Sequence, residues 1–356
     1  MRILFSNSSF NWGGVHLITD LLATGLDARG HQILILCRPG SVLQARLQER
    51  FECVSIAKGM DFSPLAVARI AYEINRFRPD VVLSLMDKDL RLTGPAARIL
   101  GVPLVSRRAN DRPLRDGPYH RFVYGTLATA HVANSAATRR SMLDSAPWLR
   151  PDRVRVIYNG IDAAAIAAAP PAGLPVPAHS TTVGFIARLE TRKGVLDLLD
   201  AWPAVVAAQP KAHLVIAGRG PLEQEVARRV LQMVNAHFLG YRSDVANILN
   251  SVDILAMPSH WEGFGLVAAE AMAAGTPVVA ANASSLPELI DDGVEGILVP
   301  PRDPGALADA IARLVRDPAL RTAMGDRGRE RVHRQFAVAR MIDDYEEILR
   351  ATATGG

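Results

Sequence analysis

Short apolar runs recur along the chain, and each is followed by a polar or glycine-containing turn. In the first half, residues 2–6, 31–37, 81–86, 102–106, 131–134 and 155–158 read as strands. Runs that are continuous rather than alternating belong to strands covered on both faces. Leu17, Ile18, Leu21, Leu22 and Leu26 predict a helix that Gly30 ends, and residues 66–77 have helical spacing that Arg78-Pro79-Asp80 stops. The alternation restarts at 182–187 and continues through 212–217, 236–239, 252–257, 277–280 and 296–299, with helices between. Residues 337–349 form an amphipathic helix pattern. Strands alternating with helices imply parallel, doubly wound sheets, an α/β fold.

Between the two series lies 163–178, rich in alanine and proline, which reads as a linker or surface excursion. The expected organisation is a first domain over 1–165, a second over 179–336, and a final helix over 337–356 packing back toward the first. Two such domains put a cleft between the carboxyl ends of both sheets, where open α/β sheets bind ligands. The glycine turns all follow strands on that edge.

Composition narrows the class. At 356 residues, 49% hydrophobic and 21% charged, the chain is globular rather than disordered, and long enough for two cores. No apolar run reaches the ~18–20 residues that span a bilayer. The start, Met1-Arg2-Ile3-Leu4-Phe5-Ser6, turns polar at once and reads as a first strand, not a signal peptide. Cys37 and Cys53 are the only cysteines, with neither metal-ligand spacing nor a disulfide framework, which fits buried thiols in a reducing cytoplasm.

Charge is uneven. Residues 1–175 carry 22 Lys and Arg against 14 Asp and Glu, and residues 176–356 carry 18 against 22. A basic first half fits an anionic acceptor or surface such as lipid phosphates, and equally fits general arginine-rich usage. Scattered arginines, 6% aromatics and no recognisable motif argue against nucleic acid.

The densest chemistry is in 258–270, Pro-Ser-His-Trp-Glu-Gly-Phe-Gly-Leu-Val-Ala-Ala-Glu, which leads from a strand into a small-residue helix ending near Ala274-Gly275. Glu262 and Glu270 frame a glycine turn. Eight helical positions span about 12 Å, which suits a nucleotide-sugar with one acid at the sugar and the other at the ribose. Glycine turns let backbone amides approach a ligand, and helix N-termini favour anions. The same residues are also common as turn and capping chemistry.

The motifs taken together resemble the family 4 glycosyltransferases of the GT-B fold, over nearly the whole chain. They are Gly13-Gly14, Ile157-Tyr158-Asn159-Gly160-Ile161-Asp162, Arg188-Leu189-Glu190-Thr191-Arg192-Lys193-Gly194, Ile216-Ala217-Gly218-Arg219-Gly220-Pro221-Leu222, Phe238-Leu239-Gly240-Tyr241 and Glu262 to Glu270. The resemblance implies two Rossmann-like domains and transfer of a sugar from a nucleoside-diphosphate sugar, with retention at the anomeric carbon and neither metal nor cofactor. The donor binds mainly in the second domain and the acceptor in the first. Arg188 and Lys193 fall to the diphosphate, where fixed cations stabilise the departing charge. Glu262 falls to the sugar hydroxyls and Glu270 to the ribose. The backbone of Gly263, Phe264, Gly265 and Leu266 contacts sugar and phosphate. Gly13 and Gly14 approach the same phosphates. Gly218 and Gly220 form the turn beneath the nucleotide, with Leu222 and Tyr241 near the base, although Tyr241 also reads as surface packing.

The acceptor side departs from the family pattern. Many members place a histidine after a first-domain strand, whereas here Ser106 runs into Arg107-Arg108-Ala109-Asn110-Asp111-Arg112-Pro113. Branches that build lipid-linked surface glycans place Ser-Glu-Arg there, so Arg108 matches and Arg107 departs. His16, Asp87, Arg107 and Arg108 are the acceptor-side candidates. The expected partners are a nucleoside-diphosphate sugar, a UDP-sugar by resemblance, and a glycan or lipid-linked glycan in bacterial surface polysaccharide synthesis. The expected location is cytoplasmic, with peripheral contact at the inner membrane face. A nucleotide-sugar epimerase and a non-catalytic nucleotide-sugar-binding protein are the alternatives. A dinucleotide oxidoreductase is disfavoured because neither glycine turn completes Gly-x-Gly-x-x-Gly.

Overall fold

A computed structural model describes residues 1–10, 13–56 and 63–355. The chain forms two compact units, Met1–Gly160 with Val338–Gly356, and Ile161–Ala337.

The first unit holds β1 (Arg2–Asn7), β2 (Gln32–Cys37), β3 (Glu52–Ser55), β4 (Val81–Ser84), β5 (Leu104–Arg108), β6 (Ala130–Ala133) and β7 (Val154–Val156). Its helices are α1 (Gly14–Asp27), α2 (Val42–Leu47), α3 (Pro64–Phe77), α4 (Asp87–Ile99), α5 (Pro118–Phe122) and α6 (Ala136–Ser145). The strands pair in parallel in the order β3-β2-β1-β4-β5-β6-β7. The order reverses between β1 and β4, so the loops after those two strands open the crevice where such sheets take ligands. Strand β3 has only Cys53 and Val54 as apolar residues and lies at the edge, so no apolar run announces it.

The second unit holds α7 (Ala163–Ala168), β8 (Thr181–Ile186), α8 (Val195–Ala208), β9 (Ala212–Ala217), α9 (Glu223–Val230), β10 (Ala236–Gly240), α10 (Val245–Leu249), β11 (Ile254–Met257) and α11 (Leu266–Ala274). It continues through β12 (Val278–Ala281), α12 (Leu286–Leu289), β13 (Gly296–Val299), α13 (Pro304–Arg316) and α14 (Pro318–Gln335). Its parallel sheet has the order β10-β9-β8-β11-β12-β13, with the reversal between β8 and β11. Trp202, Phe185, Leu198, Leu214 and Ile311 are among the side chains that fill its core.

The alanine-rich 163–178 lies within the second unit. Asp162 caps α7 by accepting from the Ala165 amide at 3.0 Å. Asn250 Nδ2 donates to the carbonyls of Ile166 and Ala169, and Ser251 Oγ accepts from the Ala172 amide at 2.6 Å. Alanine leaves little apolar pattern to read, and backbone hydrogen bonds hold the segment instead.

Helix α15 (Val338–Ala353) returns to the first unit. It buries Met341, Ile342, Tyr345, Ile348 and Leu349, spaced as one helical stripe. Glu346 meets Arg350, Arg29 and His31, and these partners hold its carboxyl down to about 2. At Gly160 an added Cβ would stand 2.6 Å from the Val338 Cα, a backbone atom that cannot step aside. Gly160→Ala should therefore lower stability by about 1–3 kcal/mol. Urea unfolding checks this, and an unchanged midpoint would contradict the contact.

Candidate functional site at the strand-order reversal

In the second unit, the loops after β8 and β11 touch. Gly194 has φ +69°, and a Cβ there would lie 1.9 Å from the Pro258 carbonyl oxygen, so only glycine lets the two backbones come this close. The His260 amide donates to the Arg192 carbonyl at 2.8 Å, and the Arg192 guanidinium lies 4.4 Å over the Trp261 ring. His260 Nε2 lies 2.7 Å from an Asp197 oxygen. These contacts make His260 a stitch between the loops.

The stitching brings Lys193 to Glu262. Lys193 Nζ donates to Glu262 Oε1, and both side chains are largely buried, at 13% and 8% exposure. Ser259 Oγ donates to the same carboxylate oxygen at 3.1 Å. Ser284 and Ser285 hydroxyls donate to the Glu262 carbonyl at 2.6 and 3.0 Å. Removing either member of such a pair leaves the other charge without its counter-ion in a poorly hydrated place. Arg188 stands apart from this pair. Its side chain is 66% exposed, with Glu190 3.8 Å away, and Glu190 is itself held by Arg192 at 2.5 Å. The Arg188 guanidinium is therefore the more accessible cation of this loop.

Gly265, at φ +93°, starts α11, and its carbonyl accepts from the amides of Ala268 and Ala269. The buried Phe264 ring packs edge-on against Phe336, with centroids 5.7 Å apart, and so fixes the turn while its backbone precedes the helix tip. Gly263 is buried beside it, and Leu266 opens the helix half-buried. Glu270 sits one turn into α11. Among the described residues none gives its carboxylate a hydrogen bond or an ion pair, and burial pushes its carboxyl up to about 7.

The loop after β9 packs beside that after β8. Gly218 and Gly220 would each drive a Cβ into loop backbone, at Ala187 and Leu189. The Leu189 amide donates to the Arg219 carbonyl and the Leu222 amide to the Leu189 carbonyl, both at 3.0 Å. Leu222 is half-buried against the core. Tyr241 is 49% exposed, with the Arg219 guanidinium 4.5 Å over its ring. Arg188, Lys193, Gly218, Gly220, Glu262 and the start of α11 thus gather at one edge of one sheet.

The remaining candidates belong to the first unit. Gly13 precedes α1 in extended conformation and Gly14 begins the helix. His16 is fully buried, with Nε2 3.4 Å from the Ser9 carbonyl, and burial lowers its pKa. It therefore holds the β1 loop rather than presenting an imidazole at the surface. Asp89 ties the same loop by accepting from the Ser8 amide at 2.9 Å, and burial raises its carboxyl to about 7.

Strand β5 extends two residues beyond the sequence expectation, because Arg107 and Arg108 pair with Val132 and Ala133 of β6. Strand alternation then separates these two arginines. Arg108 donates to Asp87 Oδ2 at 2.8 Å, whereas Arg107 is buried, donates to Asn159 Oδ1 at 2.8 Å and lies beside Tyr345. Asp87 and Arg108 form one group, and Arg107 belongs to the packing beneath α15. Ser284 and Ser285 lie outside the motifs, and Ser259 and Arg192 lie inside them without an assigned role; only the fold shows the four supporting Glu262 and its loop.

Comparison with known proteins places these features. A family model described as "Glycosyl transferases group 1" matches residues 180–317, and one described as "Glycosyltransferase Family 4" matches 12–165. A D-inositol 3-phosphate glycosyltransferase from Corynebacterium kroppenstedtii is 38% identical over 50% of this chain and 43% of its own. The glycogen synthase of Mycobacterium tuberculosis strain H37Rv is 36% identical over 78% of this chain and 68% of its own. The chain spans about half the length of the first curated relatives it matches, at 43% and 50%. The crystal structure of Anabaena Alr3699/HepE in complex with UDP and glucose superposes with a TM-score of 0.83 at 24% identity, covering 99% of this chain and 100% of that one. With two parallel-sheet Rossmann-like units of the GT-B type and family matches across both, this chain belongs to the family 4 glycosyltransferases.

Proposed function

We propose that the protein transfers a sugar from a nucleoside-diphosphate sugar, by preference a UDP-sugar, to a glycan or lipid-linked glycan acceptor in bacterial surface polysaccharide or glycoconjugate synthesis. The anomeric configuration is retained, and neither metal nor cofactor takes part. The reading rests on one observation above the others. Lys193, Glu262 and the α11 tip stand together where strand order reverses, with the Arg188 guanidinium presented to solvent on the same loop.

A departing diphosphate gains negative charge. Arg188 can fork onto two phosphate oxygens, and Lys193 supplies a compact point charge. Until a donor arrives, Glu262 and Ser259 hold the Lys193 ammonium and the Glu262 carboxylate in register. Glu262 then accepts from sugar hydroxyls and Glu270 from the ribose. The UDP and glucose bound by the Anabaena protein support this donor class. Peripheral contact through the basic first half of the chain, with 22 Lys and Arg against 14 Asp and Glu over residues 1–175, is the route to a lipid-linked acceptor. Gly13 and Gly14 serve the phosphates from the α1 tip, and Asp87 with Arg108 serves the acceptor.

Arg188→Ala removes an exposed cation with little cost to folding, so it tests the chemistry cleanly. It should lower kcat by about 10²–10³ at an unchanged Tm, measured as UDP release with a donor panel. Unchanged turnover would contradict the assignment. Lys193→Ala should lower both rate and Tm, because it strands the buried Glu262.

Glu270 gives a proton test. With its pKa raised to about 7, it is mostly protonated at pH 6.5. Ribose hydroxyls donating to it favour the ionised form and lower that pKa, so UDP binding should release a fraction of a proton. Calorimetry in buffers of different ionisation enthalpy measures this. Glu270→Gln should remove that part of the release and leave the part that belongs to the phosphate. Equal release by both proteins would contradict the ribose role.

A further inference from the structure

The first unit contains a second chemical group, distinct from the donor loops. A cavity of about 360 Å³ lies beside the carboxyl ends of β4 and β5, lined among others by Asp87, Arg91, Arg108, Arg112, Arg115 and His120. Among the described residues, four guanidinium groups line it with a single carboxylate. That carboxylate, Asp87, is engaged through Oδ2 by Arg108 at 2.8 Å and by Asn110 Nδ2 at 3.4 Å, while its buried Oδ1 has no hydrogen-bond partner among the described residues and is open to a hydroxyl. The nearby Asp116 is turned to Arg121 and to the Trp148 indole, both at 3.0 Å. Arg108 is 4% exposed and donates to Asp87, to the Tyr124 hydroxyl at 3.3 Å and to the Arg112 carbonyl, while its buried Nε has no partner among the described residues. Arg112 and Arg115 are exposed at the rim.

From this arrangement we infer that the cavity binds a phosphate group carried by the acceptor. Guanidinium groups gathered around one small space make it favourable for an anion, and a tetrahedral oxyanion offers acceptor oxygens to the Arg108 fork and to the rim arginines together. His120 reports the same field. Its pKa is lowered first by burial and then by the charges of Arg115, Arg91 and Arg108, with Asp87 opposing. A bound phosphate screens those charges and returns the imidazole toward its usual range. The inference rests on the transferase reading and adds the class of acceptor, one with an ionised phosphate near the hydroxyl that receives the sugar.

The test uses the full chain saturated with UDP, so that the donor loops are filled and their own phosphate affinity is masked. Two probes are titrated: glycerol 1-phosphate in solution, and phosphatidic acid in phosphatidylcholine vesicles with pure phosphatidylcholine vesicles as control. The His120 imidazole is followed by NMR. Binding of either probe should raise the His120 pKa. The double variant Arg112→Gln, Arg115→Gln should weaken binding by about tenfold or more, since it removes two of the charged donors at the rim. Its UDP-induced thermal shift should equal that of the parent. Binding of the soluble probe identifies a water-soluble phosphorylated acceptor, and binding of the vesicles alone identifies a lipid phosphate. No binding of either probe, or equal binding by parent and double variant, overturns the inference. If UDP gives no thermal shift to the parent, the transferase reading fails instead.

Discussion

Lys193 and Glu262 are 69 positions apart in sequence, yet they share one hydrogen bond at the edge of the second unit's sheet. That meeting is possible only because Gly194 carries no side chain where it abuts the Pro258 carbonyl. The pair in turn sets the position of everything near it. Ser259, Ser284 and Ser285 fix Glu262, and the Arg192–Trp261 stack and the His260–Asp197 contact fix the two loops. A cation is thereby held next to a carboxylate beside the α11 tip, in a poorly hydrated place where charge has its largest effect.

Two doubly wound sheets perform different tasks in the proposed scheme, and their electrostatics differ accordingly. In the second unit, the buried lysine is balanced by a glutamate, and a further carboxylate, Glu270, has no partner among the described residues. In the first unit, arginines outnumber carboxylates around the β4 and β5 loops. The first arrangement suits a ligand with both hydroxyls and phosphates, and the second suits a ligand whose main feature is negative charge.

Much of this was legible in the sequence. Buried parallel strands announce themselves as continuous apolar runs, which is why the strand series of both units and the helix at the end were readable. The edge strand β3 was not, since exposed Glu52 and half-buried Ser55 break its pattern. The alanine-rich stretch read as a linker or surface excursion, and side-chain pattern is blind to the hydrogen bonds that tie its backbone to the side chains of Asn250 and Ser251. Motif spacing brought Arg188, Lys193 and Glu262 to one sheet edge. It could not tell that Lys193 and Glu262 pair with each other, nor that the adjacent Arg107 and Arg108 face different surroundings. Both facts depend on which strands lie side by side. His16 read as an acceptor-side candidate at a helix start, and the fold buries it with its Nε2 3.4 Å from the Ser9 carbonyl.

Hydrogen–deuterium exchange of the protein with and without UDP tests the central claim most directly. The account predicts slowed exchange in the segments 188–194 and 262–270, which carry the cations, the glycine turn and the first turns of α11. Protection confined to other segments, with these two unchanged at saturating UDP, would contradict it.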